Sequence, residues 1–211
     1  SMVNDFSEYA RSAQMQSRPV DLNDLIRDVI ELYKNERGLS TAGVVPLHRA
    51  NDKPGKGKAP RAVSTRLDLD ANLPVISADP GRLRQVLHNL LLNAREALTA
   101  TPKPMISMST RVLTENTQRF AELKIQDNGP GFPEAQLVRL YEPYVTSKEK
   151  GTGLGLAIVK RIVEEHGGAI LAENLKDGGA CVIIRLPIGD TVAVSAEKSP
   201  ALKPVRAETK A

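Results

Sequence analysis

Three clusters in the sequence have residue types and spacings that could do chemistry. Asn89 and Asn93 stand four apart on a strongly helical stretch with Gln85 one turn earlier, so their carboxamides share one stripe. A buried amide without partners costs about 1 to 3 kcal/mol, so two stacked Asn point to something polar docking there; a pair of solvent-facing polar residues fits the same spacing. The second cluster is Asp127-Asn128-Gly129-Pro130-Gly131-Phe132, directly after a strand pattern. Its glycines let the backbone pass close to a flat ligand, and the Asp127 carboxylate can accept a hydrogen bond from an exocyclic amine. Taken alone, the run also reads as a plain turn. The third is Gly151-Thr152-Gly153-Leu154-Gly155-Leu156, running straight into an amphipathic helix. Free N–H groups and the positive end of the helix dipole make such a start a phosphate cradle, and Lys148 and Lys150 bring cationic charge just upstream. It is neither a GxxxxGK[ST] loop nor the GxGxxG dinucleotide fingerprint, which would also need a preceding strand.

The elements that must position these clusters are legible as periodicities. Phe6, Tyr9, Ala10 and Ala13 have helical spacing within residues 1–17, which read as the tail of a longer helix ending before Arg18-Pro19. After an extended Pro19–Leu22, either Asp21 or Asn23 can cap a helix whose apolar stripe is Leu22, Leu25, Ile26, Val29, Ile30 and Tyr33. Residues 38–61, rich in Gly, Pro and Lys, read as a mobile insertion. A strand at Val63–Leu69 and a short extended PVIS precede Asp79-Pro80, a cap followed by a first-turn proline. The helix so announced carries the stripe Leu83, Val86, Leu87, Leu90, Leu91, Ala94, Ala97 and Leu98. Alternating strands at 105–112 and 120–127, joined by the polar LTENTQR, read as a hairpin. A second helix with Leu154, Ile158, Ile162 and Val163 on one side closes at Gly167-Gly168, and AILAE and ACVIIRLP then form strands around a Lys176-Asp177-Gly178-Gly179 turn. Residues 188–211 read as a loosely ordered tail. The pattern predicts a two-layer α/β sandwich, a mixed and mainly antiparallel sheet covered on one face by three helices.

Composition narrows the function classes. At 211 residues, with 41% hydrophobic and 26% charged residues, the chain supports one ordinary domain with flanking segments, or at most two small ones. No apolar run is long enough to span a bilayer, and SMVNDFSEYARSAQMQ reads as no secretory leader. The net charge of +4 is local, concentrated at Lys53, Lys56, Lys58 and Arg61 and in the tail at Lys198, Lys203, Arg206 and Lys210. With four Tyr, three Phe and no Trp, a nucleic-acid partner is not expected. A lone Cys181 excludes an internal disulfide and a multi-Cys zinc site, and reads as a small buried hydrophobe in a strand.

The order NLLLNA, DNGPGF, a lid and GTGLGL resembles the ATP-binding domain of sensor histidine kinases, in the wider group shared with gyrase, Hsp90 and MutL, over residues 18–187. Asn89 to Asn93 resemble the N box, Asp127 to Gly131 the first glycine box, Tyr141-Glu142-Pro143-Tyr144 the F box, and Gly151 to Gly155 the second glycine box. The run YEPYVTSKEKGTGLGLAIVKRIVEEHGG is similar to NtrY-type nitrogen-regulation sensor kinases. The resemblance implies a Bergerat-type ATP-binding fold, an ATP lid over 132–152, and ATP and Mg2+ as cofactors. Asn93, helped by Asn89, would hold the Mg2+, and Asp127 would read the adenine amine. That hydrogen bond is worth about 1.5 to 3 kcal/mol and is lost with guanine. Gly129 and Gly131 would approach the base, Thr152, Gly153, Leu154, Gly155 and Leu156 would receive the phosphates, and Lys148 would complete the catalytic set with Asn89 and Asn93.

Two positions depart from the family pattern. Glu96 stands where many histidine kinases have Lys, which directs attention to Lys148 for phosphate charge, and Tyr141 and Tyr144 stand where Phe is usual. The hydrolytic relatives use a Glu at the position of Asn89, and a carboxamide cannot take a proton near neutral pH. Phosphoryl transfer to an imidazole is therefore expected rather than hydrolysis. Neither His48, His88 nor His166 sits in an HExxN/T-type acceptor box, and His166, at a helix end, reads as a dipole partner. The resemblance places the acceptor histidine on an upstream dimerisation domain, with residues 1–17 the end of its helical hairpin. It implies a homodimer anchored in the bacterial inner membrane, this part lying in the cytoplasm, that relays phosphate to an Asp of an NtrX-like response-regulator receiver. A gyrase- or Hsp90-type ATPase, an anti-sigma-factor type Ser kinase and a non-catalytic interaction domain are the alternatives.

Overall fold

The chain comes in through Arg18–Val20 (β1), which pairs antiparallel with Ile76–Ala78 (β3) in a two-stranded ribbon, Arg18 opposite Ala78 and Val20 opposite Ile76. This computed structural model describes residues 15–37, 63–144 and 153–189. Residues 1–14 of the expected hairpin end, the expected insertion at 38–61 and residues 190–211 of the expected tail lie outside them. Both partners of the ribbon are legible in the sequence only as separate extended pieces; their pairing joins positions too far apart in sequence for local pattern to reveal.

Asp21 is the cap of the first helix, Leu22–Arg37 (α1), its Oδ1 accepting the Asp24 N–H at 3.0 Å. The other candidate, Asn23, is buried inside the first turn instead. Its Nδ2 donates to the Asp70 carbonyl and its Oδ1 accepts from Thr110 Oγ1, both at 2.8 Å. Thr110 Oγ1 in turn accepts the Asp70 N–H at 3.0 Å, so one buried amide and one hydroxyl satisfy each other while joining α1 to the sheet. The strongest periodic stretch is the helix Pro80–Ala97 (α2), continued by a 3₁₀ turn at Leu98–Ala100. Asp79 caps it through Oδ1, which accepts from Gly81 N–H at 2.9 Å and Arg82 N–H at 3.1 Å, while Pro80 occupies the first position, where no donor is needed. Its buried stripe is Leu83, Val86, Leu87, Leu90, Leu91 and Ala94.

The sheet has five strands in the order β2-β4-β5-β7-β6: Ser64–Leu69 (β2), Met105–Glu115 (β4), Gln118–Asp127 (β5), Ala169–Asn174 (β6) and Ala180–Pro187 (β7). Only the β2–β4 pair is parallel. The expected seven-residue connection between β4 and β5 is shorter in the structure, because the strands continue to a turn at Asn116-Thr117, with φ of 46° and 70°. Positive φ at both central residues is the primed turn that matches strand twist, achieved here without glycine. One sheet face, built from Ile106, Met108, Thr110, Ala121, Leu123, Ile125, Val182, Ile184 and Leu186, is covered by α1, α2 and the helix Gly155–Glu165 (α4). A four-residue helix, Glu134–Leu137 (α3), stands apart from this layer. No described helix is long and apolar enough to cross a membrane.

Helices α2 and α4 run antiparallel. The start of α2 is held to the end of α4 by an Arg82–Glu165 ion pair and by Asp79 N–H donating to His166 Nε2 at 3.0 Å. Because Nε2 accepts, the ring proton is on Nδ1, which donates to the Ile162 carbonyl at 2.7 Å. His166 is thus a buried bridge between two helices, and its contact with the Ile162 carbonyl in the last turn of α4 agrees with its reading as a partner of the helix end.

The other sheet face centres on Glu122, whose side chain is 0% exposed. Arg111 on β4 and Arg185 on β7 lie directly opposite it in register, and their Nε atoms donate to its two oxygens at 2.7 and 2.9 Å. Burial pushes the Glu122 carboxyl up, but the two arginine hydrogen bonds and the charges of Arg111 and Lys124 outweigh it and hold the group below its ordinary 4.5. A carboxylate with a depressed native pKa stabilises the fold above its unfolded value and loses that contribution as pH falls through the native one. In urea titrations Glu122→Gln is expected to lower stability by about 1 to 3 kcal/mol at neutral pH. The gap to wild type should close as pH falls from 4.5 through the lower native value; a gap independent of pH would refute the ion-pair account.

Candidate functional site

The alternation that turns Ala121, Leu123 and Ile125 toward the helices puts Asp127 on the same side at the end of β5, 9% exposed. Burial pushes its carboxyl up, and backbone donation from Gly129 and Ala180 offsets this only in part. Gly129 N–H reaches Asp127 Oδ1 at 2.9 Å, and a Cβ on Gly129 would stand 2.8 Å from that oxygen and 3.4 Å from the Ala97 carbonyl. The first glycine-rich loop therefore lies against the last turn of α2. Asn128 anchors it to the start of β4, its Nδ2 donating to the Lys103 carbonyl and its Oδ1 accepting from Met105 N–H, both at 2.8 Å.

Two turns and one turn before the end of α2, Asn89 and Asn93 are half-buried and face the start of α4. The place a Cβ would take on Gly155 lies 3.7 Å from Asn89 Oδ1 and 3.7 Å from Asn93 Nδ2. The cap residue of α4, Leu154, offers no side-chain acceptor to the first-turn N–H groups, in contrast to Asp79 at α2. Leu154 itself is buried, so only its backbone is available to a ligand. Helix α2 is thus a common wall: the carboxamides and an uncapped helix start meet along its middle, and the Asp127 loop along its end. Tyr144 N–H donates to the Gly153 carbonyl at 3.1 Å, which ties the end of the expected F box to the second glycine-rich segment. Lys148, Lys150, Gly151 and Thr152 lie outside the described residues, as does the remainder of the expected lid beyond 144.

The family model for histidine kinase-, DNA gyrase B-, and HSP90-like ATPases matches residues 78–190. The chain belongs to that family. Sensor histidine kinase ZraS of Klebsiella oxytoca is 33% identical over 187 residues, covering 89% of this chain and 35% of that protein. Nitrogen regulation protein NtrY of Azorhizobium caulinodans is 32% identical over 212 residues, covering 100% of this chain and 23% of that one. The chain therefore spans about a third or less of these curated relatives. Among solved structures, full-length ShkA in complex with AMPPNP superposes with a TM-score of 0.66 at 26% identity, over 88% of this chain and 35% of that one. ThkA in complex with the response regulator protein TrrA gives 0.63 at 25% identity, over 88% and 46%.

In this histidine kinase-, gyrase- and HSP90-like domain, three residues near the site were not singled out by sequence reasoning. Asn174, at the end of β6, brackets Phe132, accepting its N–H at 2.7 Å and donating to its carbonyl at 2.8 Å. Gly179 packs on the Asp127 backbone, and Ala180 donates its N–H to the Asp127 carboxylate. All three depend on where the β6–β7 hairpin lands, and the only local signal was a Gly-Gly turn. The departure at Tyr141 also has a physical consequence: its hydroxyl is buried with no hydrogen-bond partner among the described residues, and burial pushes the phenol up to about 12. Lys160 Nζ stands 5.9 Å from the ring centroid.

Gly178 and Gly179 have similar φ, +91° and +104°, but a Cβ would meet nothing within 4 Å at Gly178 and would stand 2.0 Å from the Asp127 carbonyl at Gly179. Gly178→Ala should therefore cost only conformational strain, about 1 to 2 kcal/mol, and Gly179→Ala clearly more, with the excess read from denaturation midpoints. Equal costs would show that the close approach is unimportant. Tyr141→Phe should stabilise the domain by up to about 1 kcal/mol by removing an unsatisfied hydroxyl; a loss of stability would mean that the hydroxyl has a partner.

Proposed function

We propose that this chain is the ATP-binding catalytic domain of a two-component sensor histidine kinase of the NtrY type, passing the γ-phosphoryl group of Mg-ATP to a histidine outside the described residues. The observation that carries the reading is the meeting of an uncapped helix start with two carboxamides along α2, one turn before the loop that holds a buried carboxylate. The first-turn N–H groups of α4 and Lys148 with Thr152 suit the phosphates, and the Asp127 carboxylate suits the adenine amine.

Carboxamide oxygens are hard neutral donors, which fits a Mg2+ that takes its remaining ligands from phosphates and water. Asn93 and Asn89 would hold it, and bound there it would neutralise phosphate charge. Asn89 cannot serve as a base near neutral pH, so the domain's own residues position the nucleotide and the acceptor brings its own basicity. His166 is buried with both ring nitrogens engaged and so is not set out as that acceptor, while the exposed His88 packs its ring edge-on against Tyr33 at 5.5 Å; His48 lies outside the described residues. The named relatives are sensor kinases and ThkA is solved with a response regulator, which supports an upstream acceptor domain, a homodimer, an NtrX-like receiver partner and membrane anchoring in the intact protein. Residues 1–17 would then end the acceptor hairpin, 18–187 form the catalytic domain and 188–211 the tail.

Calorimetry with ATP and Mg2+ tests the reading. Asp127→Asn should weaken ATP binding about 10- to 100-fold, the loss of one charged hydrogen bond, with the fold retained by circular dichroism. Cys181→Ala, which alters a buried thiol on the other sheet face, should leave affinity unchanged. No binding by folded protein would refute the nucleotide site, and steady phosphate release by the chain alone would favour a gyrase-like hydrolase.

A further inference from the structure

The end of the β6–β7 hairpin reaches the Asp127–Phe132 loop at both of its ends. At the far end, the Asn174 carboxamide offers an acceptor to Phe132 N–H at 2.7 Å and a donor to Phe132 C=O at 2.8 Å, doing for one residue what a neighbouring strand would do. Gly131, at φ +80°, fits only because it lacks a side chain, since a Cβ there would stand 2.7 Å from Asn174 Oδ1. At the near end, Gly179 lies against the Asp127 carbonyl, and Ala180, the register partner of Asn174, gives its N–H to the Asp127 carboxylate. The hairpin end is itself held closed by Leu175 N–H donating to the Gly179 carbonyl at 2.9 Å and by Gly178 N–H donating to Leu175 at 3.1 Å.

Two backbone donors aim the Asp127 carboxylate. Ala180 belongs to the sheet and cannot shift without it. The other, Gly129, belongs to the loop, which Asn128 fastens at its near end to Lys103 and Met105 and Asn174 fastens at its far end through Phe132, so the place of Gly129 depends in part on Asn174. We infer that Asn174 is a positioning residue for base recognition: by clamping Phe132 it keeps the loop where the Asp127 carboxylate meets the amine-bearing edge of adenine and rejects a base that presents a carbonyl there. The inference rests on the proposed reading of the site as an adenine-nucleotide pocket and deepens it, assigning part of the ATP-over-GTP preference to a side chain that acts through Phe132. Asn174 is exposed, so its replacement should not empty the core.

The test measures ATP, GTP and inorganic tripolyphosphate binding, each with Mg2+, to the unaltered chain, Asn174→Ala and Asn174→Asp. Asn174→Ala is expected to weaken ATP binding about tenfold, to leave tripolyphosphate within about twofold, and to shrink the ATP-over-GTP preference by about tenfold. Asn174→Asp keeps the acceptor for Phe132 N–H but loses the donor to its carbonyl, so it should fall between the two; it also carries the test should the alanine variant not fold. A merely structural role would lower ATP and tripolyphosphate by the same factor, and that result, or a preference left intact, overturns this inference while the nucleotide site stands. Failure of the unaltered chain to bind ATP overturns the site reading and this inference with it.

Discussion

Asp79 accepts hydrogen bonds from three backbone donors in two segments and gives its own N–H to a third. One carboxylate oxygen caps α2, the other takes the Gln16 N–H at 3.0 Å from the chain leading into β1, and the Asp79 N–H goes to His166 at the end of α4. Burial pushes the Asp79 carboxyl up, yet the donors from Gln16, Arg82 and Gly81 outweigh it and keep the group below its ordinary value. The spacing of α2 and α4 at the ligand end, where Asn89 and Asn93 face Gly155, follows from this node at the opposite end because the two helices are rigid and share one apolar seam. Polar partners decide the register, and the seam of Val86, Leu90, Val159 and Ile162 supplies the adhesion.

Local patterns carried much of this into the sequence. The α2 stripe and its Asp79-Pro80 start are visible because cap, proline and apolar period lie within one stretch of chain. Asn89, Asn93, Asp127 and the Gly153–Leu156 run could be chosen because each cluster is local, and strand parity already puts Asp127 on the helix side. What stayed hidden depends on contacts between distant segments. Asn23 looks like a second cap until Asp70 and Thr110 are beside it, and nothing near His166 in the sequence announces its second partner, the Asp79 N–H. The β4–β5 turn looks like a longer loop in the sequence because Asn116-Thr117 adopts a glycine-like conformation without glycine. Asn174 could be recognised only once the register of β6 and β7 was known.

The loop around Asp127 also shows how a buried acid can be kept available. Desolvation works against its ionised form, and two peptide N–H groups return part of that cost while fixing its direction. An acceptor held this way loses little freedom when a ligand arrives, so less of the binding free energy is spent on ordering it.

The Arg111–Glu122–Arg185 row has a consequence for how this domain associates with others. It runs across the middle strands of the sheet face that no described helix covers, with Lys124 3.7 Å from the same carboxylate. Stacking a second sheet or an oily surface over that row would strip water from three cations that Glu122 and Glu115 together do not neutralise. Docking of an apolar surface directly over that row is thereby disfavoured.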